Sequence, residues 1–150
     1  MDSARYVPRK LNLEALISVL VEEHALMRDG LLKAKEAAAQ NDYEGVQKEL
    51  VRLDPVFRQH IADEESTILR ILIKELGVKG AAAEAKVFQQ HRPIYQLMKK
   101  VTDLASMPAA ELETNQTELN DLFDKHTAAE EDQVFPRAKS FSTAANRGVE

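Results

Sequence analysis

The chain has 150 residues, with 20 Lys and Arg against 25 Asp and Glu and a net charge of -5 at pH 7, which is enough length for one domain with a real core. The acidic balance offers no field for phosphate backbones or anionic lipid, so neither nucleic acid nor a membrane surface is an expected partner. The lack of any cysteine removes disulfides, thiolate-held zinc, iron-sulfur clusters and the thiol linkage of c-type haem, leaving His, Asp, Glu and Tyr to hold any metal.

The start of the chain, MDSARYVPRK, has no apolar leader, and no stretch approaches the roughly 20 apolar residues of a membrane span, so the expected location is cytoplasmic. Residues 1–10 are expected as a flexible N-terminal tail, residues 11–139 as one helical domain and residues 140–150 as a second tail. Glycine and proline are sparse, and apolar residues recur at three and four rather than two, which makes the fold class all-α. The first predicted helix runs from about Leu11 to Ala39, with Leu13, Leu16, Leu20, His24, Met27 and Leu31 on one stripe. Gln40, Asn41 and Asp42 break the pattern, and Asn41 with Glu44 reads as a capping box for the second helix. That helix is expected to reach Leu76 and to bend at Pro55 without ending there, because the apolar spacing continues on both sides. Gly77 to Gly80 reads as a turn, and Ala81 to about Ala105 as a third helix with Pro93 inside it. Ser106 and Pro108 mark the start of the fourth, which extends to about Lys139 with Pro136 near its end. Short connections between long amphipathic helices favour antiparallel neighbours, hence an up-down-up-down four-helix bundle.

The four histidines of the chain, His24, His60, His91 and His126, fall one to each predicted helix. Each follows two apolar residues at minus four and minus three, so each takes the place of a core residue on an inward stripe. At 1.5 Å per residue, their heights counted from the turns differ by about 3 Å to about 8 Å, which suits one site spread over two adjacent helical turns. Glu64 and Glu130 stand four residues after His60 and His126, within an internal echo that pairs HIADEE with HTAAEE. Two buried carboxylates beside four imidazoles would cost several kcal/mol per ion unless strong positive charge sat among them, and a metal supplies it. Imidazole and carboxylate without thiolate suit iron, zinc, manganese or copper, and carboxylates able to bridge point to a dinuclear centre. A ferritin-like site, with four glutamates and two histidines at Glu-x-x-His spacing, is disfavoured by the reversed ratio and the His-x-x-x-Glu order. Taken singly, any of these histidines reads equally as a hydrogen-bonded core residue, and only the joint arrangement speaks for a metal.

One His on the first helix, His-x-x-x-Glu on the second, one His on the third and His-x-x-x-Glu on the fourth together resemble the hemerythrin-like, or HHE cation-binding, domain. The resemblance spans about Asn12 to Pro136 and includes HTAAEEDQVFP from His126. It implies two oxo- or hydroxo-bridged iron ions, with His24 and His60 on one, His91 and His126 on the other, and Glu64 and Glu130 bridging. It also implies a diatomic ligand or peroxide as the partner, met for sensing, scavenging or iron handling. Alternatives are a di-iron oxidase or peroxidase and a bundle merely stabilised by zinc, with manganese a further candidate ion. Two positions depart from the oxygen-carrying pattern: Tyr95 stands where carriers have a second histidine on the third helix, and Glu131 stands where they have an aspartate. Glu130 keeps to the ligand face better than Glu131, since four residues turn the helix by about 400° and five by about 500°. Tyr95 reads as a core or supporting group rather than a ligand, and Glu22, Glu23, Glu65 and Glu131 as solvated faces or partners of the ligands. Met27 and Met98 read as core fillers, and Pro93 as a kink or as a device that reshapes the backbone beside the metal.

Overall fold

Helix formation begins at Asn12, whose side-chain oxygen accepts the Ala15 N–H at 2.8 Å and so satisfies one of the free donors of a helix start. The computed structural model describes residues 6–103 and 107–141, and every regular element among them is helical. Four rods result. The first is α1 (Leu13–Ala39); the second joins α2 (Tyr43–Asp63), a π-helical turn (Glu64–Ile68) and α3 (Leu69–Gly80). The third is α4 (Ala82–Gln89) followed by α5 (His91–Thr102), and the fourth joins α6 (Ala109–Ala129), a second π-helical turn (Glu130–Val134) and α7 (Phe135–Lys139). No helix among the described residues is long and apolar enough to cross a membrane.

The ends of the rods follow local chemistry. Asn41 adopts a left-handed φ of 58° and closes α1, with its N–H donating to Ala38 and the Asp42 N–H to Ala37, the two bonds of a Schellman motif. Asp42, not the expected Asn41, therefore caps α2, its carboxylate accepting the Gly45 N–H at 3.0 Å. Pro55 lies within α2 without ending it. Gly77 leaves the helical region at φ 76°, a conformation glycine reaches without strain, and turns the second rod towards the third. The third helix is broken at Gln90, where the expectation was a continuous rod. Pro93 has no N–H for the Gln89 carbonyl and its ring crowds that carbonyl, so the ladder is interrupted one turn before the proline. Pro108 precedes the first residue of α6 as an N-cap, whereas Ala105, Ser106 and most of the expected C-terminal tail lie outside the described residues.

Helix α1 packs on α2 and α6, and α5 packs on the same two helices. Gly30 lets the first pair approach closely, since a Cβ there would sit 2.8 Å from a Leu53 methyl. The buried side chains form two apolar clusters. One contains Met27, Leu31, Leu53, Phe57, Ile94, Met98 and Phe123, and the other Leu16, Leu20, Ile68, Leu72, Phe88, Val134 and Phe135. Met27 and Met98 are thus core residues. Between the clusters runs a layer of buried polar side chains.

Candidate metal centre

All four histidines reach that layer and none is more than 3 % exposed. The helical period explains their aim: Leu20, Phe57, Phe88 and Phe123, one turn earlier on the same stripes, are core residues. Glu64 and Glu130 lie one turn beyond His60 and His126 and are fully buried.

The six side chains form two overlapping groups, His24, His60, Glu64 and Glu130 in one and Glu64, His91, His126 and Glu130 in the other, with ligand atoms inside each group within 4.8 Å of one another. Each carboxylate divides its oxygens between the groups. Glu64 places Oε2 3.1 Å from His60 Nε2 and Oε1 2.7 Å from His91 Nε2. Glu130 places Oε1 2.9 Å from His24 Nε2 and Oε2 2.9 Å from His126 Nε2. Several of these contacts are short without being aligned as hydrogen bonds: Glu64 Oε2, Glu130 Oε2 and His126 Nε2 are buried and have no hydrogen-bond partner. Buried polar atoms left unpaired are costly, and lone pairs that converge on common points rather than on each other are what a cation needs. The donor set therefore fits metal ions, and these residues can hold them.

Each imidazole is also fixed from behind. His60 Nδ1 donates to Glu23 at 2.9 Å, His91 Nδ1 to Glu65 at 2.8 Å, His126 Nδ1 to Gln90 at 2.9 Å and His24 Nδ1 to Glu131 at 2.7 Å. The pattern is a directed ring in which the first rod braces the second, the second the third, the third the fourth and the fourth the first. Such outward bonds fix the tautomer and leave Nε2 facing the centre. Glu131 is thus a brace and Glu130 the group at the centre. Glu23, Glu65 and Glu131 are partners of the ligands, whereas Glu22 is exposed.

Arg9 extends the network outward. Its Nη2 donates to both Glu23 oxygens at 3.0 Å, and its backbone N–H and Nε each donate to the fully buried Asp63 carboxylate at 2.7 Å. Val7 accepts from Gln59 at 2.8 Å, so this part of the expected N-terminal tail is tied to α2.

The electrostatics follow from this crowding. Burial opposes charge on His60, yet Glu64, Glu130 and Glu23 raise its pKa well above the ordinary imidazole value. His91 is likewise raised against its burial, by Glu130, Glu64 and Glu65. Burial works against ionisation of Glu130, but His126, His24, His60 and His91 hold it well below the usual carboxylate range. Glu23 is lowered against its own burial by His60 and Arg9.

Aromatic rings close the layer from both sides. His24 meets the edge of Phe123 and stacks on Phe135, with centroids 6.3 and 5.7 Å apart, while His91 meets the edge of Phe57 and stacks on Phe88 at 6.3 and 5.4 Å. Tyr95 is outside both ligand groups. It is partly buried, stacks on Phe57 at 6.4 Å, and accepts from the Arg58 guanidinium through its hydroxyl.

Gln90, Arg9 and Asp63 were not singled out by the sequence reading. One signal was available for the ring: each brace is the immediate sequence neighbour of a ligand on its own rod, while the histidine it holds is on another. The two π-helical turns were also not foreseen, and both start at a centre carboxylate. Comparison with protein-family models, with curated proteins and with solved structures gave no match to this chain.

Proposed function

We propose that the chain is a non-haem di-iron protein of the hemerythrin-like kind, an up-down-up-down bundle acting in the cytoplasm. Its centre meets dioxygen, nitric oxide or peroxide for sensing, scavenging or iron handling. The observation that carries this reading is the division of each buried carboxylate between two histidine pairs, one oxygen to each. A mononuclear site has no use for two such spans, and a pair of cations offsets both buried carboxylates at once.

In this reading His24 and His60 hold one ion, His91 and His126 the other, and Glu64 and Glu130 bridge them. Iron bound there supplies redox change and coordination positions left open for a small ligand. The chain aims the four Nε2 atoms by the outward Nδ1 bonds, and the two apolar clusters keep bulk water and larger molecules from the layer. Zinc is the alternative this donor set also suits, because two imidazoles and two carboxylate oxygens would fill its preferred four positions and leave none for a small ligand. Elemental analysis and Mössbauer spectra of protein from its native host test the reading, with two irons per chain expected. Two zincs per chain, or a protein that stays metal-free after anaerobic loading with ferrous iron, would overturn it.

A further inference from the structure

We propose that the two metal positions are unequal and that Gln90 sets the inequality, the His24/His60 position holding its ion more tightly than the His91/His126 position. The inference rests on the dinuclear reading above and concerns how the chain divides its affinity within it. Three braces of the ring are carboxylates and the fourth is an amide. At the His24/His60 position both imidazoles donate to carboxylates, Glu131 and Glu23. At the other position His91 donates to Glu65, but His126 donates to the neutral Gln90 carbonyl oxygen. An ionised acceptor makes a hydrogen bond roughly twice as strong as a neutral one and raises the basicity of the imidazole it holds. The amide fixes the tautomer of His126 without that gain.

Solvent widens the difference. Glu23 and Glu131 are 16 % and 35 % exposed at the side chain, whereas Glu65, the lone carboxylate of the weaker position, is 47 % exposed. Water weakens a hydrogen bond by competing for it, so the more exposed brace contributes less. Arg9 partly offsets Glu23, but it is shared with the buried Asp63, and that side of the centre keeps the larger negative charge.

The internal repeat marks Gln90 as the odd residue. Glu23-His24 and His60-x-x-x-Glu64-Glu65 on the first two rods match Gln90-His91 and His126-x-x-x-Glu130-Glu131 on the last two. The brace and the histidine it holds are 37 residues apart in the first half and 36 in the second. Within this pattern the braces differ at one place only, Glu23 against Gln90. The helix break ahead of Pro93 falls at Gln90, so the residue that differs in charge is also the one whose backbone the proline resets.

The test uses cobalt(II), titrated anaerobically into the metal-free full chain and followed by calorimetry and by proton NMR of the four imidazole Nδ1–H signals, assigned with single-histidine variants. At one equivalent the paramagnetically shifted signals should be those of His24 and His60. Equal filling of both positions, or prior filling at His91 and His126, would overturn the proposal while leaving the dinuclear reading intact. Failure to take up any cobalt would overturn both. Gln90→Glu should strengthen the weaker step about tenfold and Glu131→Gln should weaken the stronger step about tenfold, the usual scale for an outer partner. A folded Gln90→Glu protein with an unchanged weaker step would sink the assignment to Gln90. Should that variant not fold, Glu65→Gln takes its place: it should weaken the second step about tenfold, and an unchanged step would again count against the proposal.

Discussion

Glu130 shows how the centre balances charge without help from solvent. Its burial disfavours the carboxylate, the four imidazoles favour it, and the imidazoles win; His60 and His91 in turn keep their protons to higher pH because carboxylates surround them. A raised histidine contributes stability that is complete below its ordinary value of 6.5 and is lost as pH climbs through the folded value. A lowered glutamate contributes stability that is complete above its ordinary 4.5 and is lost as pH falls through the folded value. Metal-free protein should therefore melt highest between about pH 4.5 and about pH 6.5, with the optimum moving to higher pH once metal is bound, as thermal scans across pH would show. Loading the chain with metal near neutral pH should release protons, read with an indicator in weak buffer; proton uptake would contradict the charge assignment. Glu130→Gln should cost more affinity than the roughly 10–100-fold typical of an outer partner while leaving helix content unchanged, as metal analysis and circular dichroism would report. At this scale the six central side chains were legible, because four histidines at core-stripe positions leave few alternatives. Gln90 was not, because a glutamine one residue from a ligand, about 100° round the helix, reads as an ordinary polar side chain until the neighbouring rod that carries His126 is in place.

Helix ends and helix irregularities carry the next level of information. Both π-helical turns begin at a central glutamate, with the Glu64 carbonyl accepting from Leu69 and the Glu130 carbonyl from Phe135 in place of the residue four along. Such turns widen the helix by one residue and are frequent at functional sites. They let Glu64 and Glu130 face the centre while Ile68, Leu72, Val134 and Phe135 still enter the second apolar cluster. Deleting the exposed Ser66 should restore an α-helical turn without re-phasing α3, because the π turn holds one residue more than an α turn, and should draw Glu64 from its place at the centre and lower metal content, whereas Ser66→Ala should change stability by no more than about 0.5 kcal/mol. A deletion variant with unaltered melting temperature and metal content would show that the turn is incidental. The four rods themselves were readable from apolar spacing. The π turns were not, since a recurrence of three and four absorbs one extra residue without visible change of phase. The shift of the α2 cap from Asn41 to Asp42 has a similar cause: the left-handed residue that closes α1 cannot also open the next helix.

Across the molecule, a polar layer is held between two apolar clusters, and its stability depends on what fills it. A metal at 100 times its dissociation constant should raise unfolding stability by about 2.7 kcal/mol, reversible with chelator, and melting curves with and without metal measure this directly. Arg9→Ala should cost about 1–3 kcal/mol by leaving the buried Asp63 short of partners, more than the loss of an ordinary surface ion pair. The ring of braces has a further consequence. Every rod both gives a support and receives one, so the loop of Nδ1–H bonds has no terminus from which to fray. Disassembly of the layer is then all-or-none: the four Nδ1 protons should exchange with solvent at one common rate, and slippage of a single helix should be felt by the ligand diagonally across.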